Sequence, residues 1–170
     1  MENEINLPSG IYLYDETDNK VDIKKIRDFI KENFRRFKFR HINLKEKVIQ
    51  TKGLIFDFIE TQKAFEKVRI STTNECEIIL TEKLFATLEQ DKRPHIRASI
   101  YSFPSVISLS GIVEGPAKPK EFYLYKNKYM ALGLWDLKEE EIKEKFKEHF
   151  IDYKDSRLSE VLKGYISQAI

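Results

Sequence analysis

Cysteine is nearly missing from this chain. Cys76 is the only one in 170 residues, which excludes an internal disulfide and a Cys-rich zinc site. Histidine is almost as scarce. His41, His95 and His149 are widely spread, and no pair has the i, i+4 spacing with an intervening Glu by which one helix face holds a catalytic zinc. No phosphate-binding P-loop, no dinucleotide G-x-G-x-x-G turn and no G-x-S-x-G nucleophile elbow occurs. No apolar run approaches the roughly 20 residues of a membrane-crossing helix. Met1 to Ser9 lacks the apolar core of a secretory signal, and there are no internal repeats or low-complexity linkers. The expectation is a reducing, cytoplasmic setting, no membrane partner and no cofactor.

What is present is charge. Asp, Glu, Lys and Arg make up 34% of the chain, with a net charge of +2, while 41% is hydrophobic and 12% aromatic. That composition and length predict one domain over residues 1–170, with room for a C-terminal extension beyond them. The charge is uneven. Lys20 to Lys47 carries eleven Lys or Arg against four Asp or Glu. Within it Lys24, Arg27, Lys31, Arg35, Arg36, Lys38 and Arg40 interleave with Phe34, Phe37 and Phe39. A basic stripe with aromatics is a nucleic-acid-binding pattern. The competing reading makes the phenylalanines core and the cations a solvated helix face and strand edge.

Periodicity predicts an α/β (or α+β) fold: a mixed sheet of four to six strands with helices packed on it. Ile11 to Tyr14 reads as a strand. Asp22 is placed to cap a helix over Ile23 to Phe34, whose Ile23, Ile26, Ile30 and Phe34 recur at spacings of three and four. Phe37, Phe39 and His41 then alternate with cations as in a strand, giving a β-α-β opening. A helix over about Phe56 to Lys67, a buried strand over Cys76 to Thr81, a turn of helix over Lys83 to Thr87 and a strand over His95 to Tyr101 follow. Lys126 to Lys128 reads as a turn, and Lys138 to Phe150 as a charged helix. Leu158, Leu162, Tyr165, Ile166, Ala169 and Ile170 form one apolar face of a last helix. That face is expected to pack on the sheet, or else to pair two copies of the chain. Gly164, mid-helix, is expected to mark a close backbone approach.

Three prolines and two glycines concentrate in Phe103 to Tyr123. There the apolar runs Val106 to Leu109 and Ile112-Val113 suggest a buried β segment feeding a rigid loop, Glu114 to Lys120. Glu114, Lys118 and Lys120 on that loop are candidates for holding an anionic or peptide ligand, since prolines fix the backbone at little entropic cost. The plainer reading is a corner with solvated charges. His95 and Arg97 flank Ile96, so in a strand they share a face and would suit an anion, or simply face water. His149 near a helix end suits the negative end of the dipole. Cys76 reads as a packed hydrophobe.

The segments IYLYDE at Ile11, RPHIRASIYSFPSVISLSGIVEGPAKPKEFY from Arg93 and FIDYKDSRLSEVLKGYISQAI from Phe150 together resemble an archaeal protein family labelled as metallopeptidases. Its layout looks like the archaemetzincin type of zincin. The resemblance implies a β-α-β opening, a mixed sheet and a late metal-site helix, with Arg157 to Ile170 as its counterpart. That helix contains no His, so the resemblance implies the fold and not the peptidase activity. It implies also that relatives continue into a tail with His and Cys. Three functions follow: a zincin-like domain without the His-Glu motif that binds a protein or peptide; a metallopeptidase whose metal site lies in such a tail; or an RNA- or ribosome-associated factor using Lys20 to Lys47.

Overall fold

The computed structural model describes residues 8–18, 20–71, 75–153 and 155–170. The chain opens as β1 (Gly10–Asp15), α1 (Ile23–Asn33) and β2 (Lys38–Asn43), with β2 parallel to β1. The Asp22 carboxylate caps α1 by accepting the Lys25 N–H at 3.1 Å. On the other side of β1 lies β5 (Cys76–Thr81), also parallel and buried at all six positions. Its unbroken apolar centre is what a central parallel strand requires, because both of its faces are covered. β9 (Ser105–Ser108) continues the parallel set, and β8 (Ser99–Ile100) closes it antiparallel, giving the order β2-β1-β5-β9-β8.

One face of this sheet packs Ile11, Leu13, Ile78, Leu80 and Ile107 against Ile26 and Ile30 of α1 and Leu162 and Ile166 of α6 (Leu158–Ala169). Phe34, Phe37 and Phe39 are half-buried at its margin. The other face packs Tyr14, Ile79 and Val106 against Val48, Ile49, Phe85 and Phe65 of α2 (Phe58–Glu66). The last helix therefore lays its apolar face on the sheet. Gly164 is not a contact point, since a Cβ there would meet nothing within 4 Å.

A second sheet of short strands was not expected. It runs β3 (Thr51–Lys52), β4 (Ile55–Phe56), β6 (Ala86–Leu88) and β7 (Pro94–Ile96). The segment read as a helical turn, Lys83 to Thr87, thus ends in a strand that pairs on both sides. The single strand read over His95 to Tyr101 is two, β7 and β8, in different sheets. The switch falls at Arg97 and Ala98: the Arg97 N–H donates to Phe85 O, while Ala98 O accepts from the Ser108 N–H.

Ile112-Val113 is likewise helix, not strand, within α3 (Leu109–Glu114). Ser108 ends β9 and caps α3, its hydroxyl accepting the Gly111 N–H at 2.8 Å. The turn read at Lys126 to Lys128 lies inside α4 (Lys120–Ala131). The chain turns instead at Gly133, which takes a φ of +65°. α5 (Trp135–Lys145) and a 3-10 turn (Lys147–His149) follow. These elements build a third cluster from Phe122, Ile142, Phe146 and Phe150.

Candidate functional site

The Gly-Pro loop leads from the end of α3 into α4, so its charges are carried to the seam between α3, α4 and α5. Lys118 is drawn inward. Its side chain is only 12% exposed, and its Nζ lies 3.4 Å from Glu114 Oε2. The same amine sits 5.4 Å from the centre of the Phe150 ring and 5.9 Å from that of Phe122, within the range where ring quadrupoles attract a cation. The Tyr153 hydroxyl donates to Glu114 Oε1 at 3.3 Å. Lys120 opens α4 and is exposed, outside this seam.

Lining the same cleft as Lys118 is a bridge from α5 to the segment that follows it. Lys143 of α5 bridges Glu139 at 3.0 Å and Asp152 at 3.1 Å. Burial pulls the Lys143 amine down, but Glu139 and Asp152 more than offset it and hold its pKa above the ordinary lysine value. Burial pushes the Asp152 carboxyl up, yet the Tyr153 N–H, Lys143 and Lys118 bring it below the usual carboxylate range. Burial raises the Tyr153 phenol, and the Glu114 charge adds to it against a bond from Ser110. Three lysines, Lys118, Lys126 and Lys143, and three carboxylates thus converge on a cleft of about 160 Å³, lined also by Phe122, Tyr123 and Trp135. Beyond the Lys143–Asp152 bridge lies an open trough of about 450 Å³ bordered by Lys147, Asp155 and Arg157.

A second place has the right topology for a site. In parallel sheets, ligands bind beyond the carboxyl ends of the strands, where neighbouring crossovers diverge. Here that place lies between β1 and β5, and it is already filled. Asp15 is fully buried and accepts the Thr17 N–H at 2.8 Å and the Thr17 hydroxyl at 2.6 Å, while its other oxygen lies 3.2 Å from His41 Nε2. Glu16, also buried, accepts the Val48 N–H at 2.6 Å and the Thr81 hydroxyl. The segment 44–50 therefore plugs the crevice, pinned by the Glu16 carboxylate through Val48 and by the Asp15 carbonyl, which accepts the Leu44 N–H at 2.7 Å. Neither acid stood out as a site residue in the sequence. The available signal was an Asp-Glu pair directly after an apolar strand.

His95 and Arg97 are satisfied separately. His95 Nε2 lies 3.0 Å from Asp91 Oδ2, while Arg97 donates to Thr87 Oγ1 at 2.8 Å and pairs with Glu89. Lys24, Arg27, Lys31, Arg35, Arg36, Lys38 and Arg40 are all exposed along α1, the following turn and β2.

With a layered α/β frame and a charged cleft in place, the class of protein can be stated. Residues 14–170 match the model of the family described as "Probable metallopeptidase family (DUF6775)", and the chain belongs to that family. No curated protein and no solved structure matches it. A peptidase zinc needs three converging protein ligands. His41 lies on β2 against Asp15, His95 on β7 against Asp91, and His149 in the 3-10 turn beside Phe146. Among the described residues no three His, Cys, Asp or Glu side chains are grouped to hold a metal ion. The described residues do not fit a zinc centre.

Proposed function

We propose that this metallopeptidase-family chain acts by binding a peptide or protein, with the cleft between α3, α4 and α5 as its site, rather than by hydrolysis at a zinc centre of its own described residues. One observation carries the reading: Lys118 is held nearly buried between two aromatic rings, in a cleft that Lys143 also lines and that opens on a larger trough. A cleft of about 160 Å³ takes a side chain or a chain terminus, not a whole peptide, and the trough has room for the residues that follow. An acidic side chain or terminal carboxylate would displace Glu114 from Lys118 and gain a charge-assisted bond in a partly dry setting.

Trp135 is the chain's only tryptophan and lines the cleft, so its fluorescence reports occupancy. The expected result is a saturable change with peptides ending in a free carboxylate and a weaker one with their amidated forms. Lys118→Met keeps the stem that packs on the rings and removes the charge. It should weaken binding about ten- to hundredfold, the range for losing one bond to a charged group. Metal analysis of the same protein should find no stoichiometric zinc. One tightly held zinc per chain together with peptide cleavage, or binding indifferent to Lys118→Met, would overturn the reading.

A further inference from the structure

The basic stretch concentrates cations that the fold leaves without counter-charge; within it Lys20 pairs with Glu82 and Lys25 with Asp22. Lys24, Arg27, Lys31, Arg35, Arg36, Lys38 and Arg40 are exposed, and among the described residues none has a carboxylate partner. Asp28 and Glu32 share α1 with them and form no ion pair either. The placement is ordered. Lys24, Arg27 and Lys31 recur at spacings of three and four on the face of α1 away from Ile26 and Ile30, and Arg35 follows in the turn after the helix. Lys24 to Lys31 spans about 10 Å along the helix axis. Arg36 then carries the row round the sheet's edge strand β2, where Lys38 and Arg40 alternate with Phe39 and project on the face opposite α1.

This belt includes flat surfaces. The Arg36 guanidinium lies 4.6 Å from the Phe37 ring centre, and that of Arg40 lies 5.6 Å from the Tyr12 ring centre. Both rings are half-buried, so each offers a guanidinium–ring stack at the surface. Neighbouring like charges without a carboxylate partner repel one another, and a polyanion relieves that repulsion. Only one with exposed base faces also uses the stacks.

We propose that the belt from Lys24 to Arg40 binds single-stranded nucleic acid, with the α1 row and Lys38 on phosphates and the Arg36–Phe37 and Arg40–Tyr12 stacks against bases. It is separate from the cleft, shares no residue with it and does not rest on the peptide reading.

The test is fluorescence anisotropy of labelled ten-nucleotide oligo(U) and oligo(dT) with the full chain across a salt series. Both should bind, because no contact requires a 2′-hydroxyl. If five cations engage phosphates, the slope of log K against log salt should be about −3.5. Lys24→Ala with Arg27→Ala and Lys31→Ala removes three exposed charges without touching the core. It should weaken binding at least tenfold and flatten the slope by about 2. Arg36→Ala with Arg40→Ala should reduce the preference for a single strand over a duplex of the same length. No binding at 50 mM salt, a triple variant that binds like the parent, or a duplex bound as tightly as the single strand each overturns the proposal. So does capture by phosphatidylserine vesicles with no capture by either oligonucleotide.

Discussion

Gly111 shows how much one hydrogen atom in place of a side chain decides. A Cβ built there would overlap Arg97 O and lie 2.8 Å from Ala98 Cα, so α3 presses its backbone onto the connection between the two sheets. Gly111→Ala should therefore cost several kcal/mol, well above the intrinsic preference of about 1 kcal/mol for Ala in a helix, which acts in the opposite direction. Chemical denaturation of the variant checks this, and a stabilised Gly111→Ala would contradict the contact. The same substitution at Gly164, which has open space around it, should stabilise or be neutral. Cys76 makes a complementary point. Burial pushes its thiol up to about 11. The contribution from keeping it neutral is fully present below the ordinary thiol value of 9.0 and is lost as pH rises through about 11. At pH 8 native Cys76 should react with a disulfide reagent roughly a hundredfold more slowly than in urea, because its thiolate fraction is that much smaller. Equal rates would place the thiol in water.

Elements whose pattern is local were legible, and those defined by a partner were not. α1 has its cap at Asp22 and an inward row of Ile26 and Ile30, so it could be read from a dozen residues. β5 could be read because a central parallel strand is apolar throughout. β6 is three residues long and exists only because it pairs on both sides, so no periodicity could reveal it, and β7 was read only as the start of a longer strand. Ile112-Val113 looked like strand because two β-branched residues follow an apolar run, yet the Ser108 cap and the absence of a Cβ at Gly111 make that turn helical. α6 was readable from its broad apolar face, and it packs as that face dictates. Leu162 and Ile166 are buried in the core beneath β5 and β9, so Leu162→Ala should cost about 2–5 kcal/mol in urea denaturation. Phe37 is only half-buried, so its truncation should fall below the 3–5 kcal/mol of a fully enclosed ring.

At the scale of the molecule, two charged regions share no residue. The cleft gathers Glu114, Lys118, Glu139, Lys143 and Asp152 from three helices and the segment after them. Sequence reading found its first two members, because prolines and glycines announced a loop. It missed Lys143, Glu139 and Asp152, because nothing in a charged helix says which of its lysines turns inward. The belt on α1 and β2 was legible entirely, since a run of like charges is a property of the sequence. Its lack of carboxylate partners was not, since that depends on what the folded surface brings alongside. Composition and periodicity by themselves determined the α/β class, the β-α-β opening, the inward faces of α1 and α6 and the basic stretch, all of which follow from residues within a few turns of one another. Only the tertiary structure decided the second sheet, the burial of Asp15 beside His41 and of Glu16 against segment 44–50, and the inward turn of Lys118 between Phe122 and Phe150. Each of these depends on groups far apart in the chain, and a charge is drawn out of water only where distant residues supply its counter-charge and its hydrogen bonds.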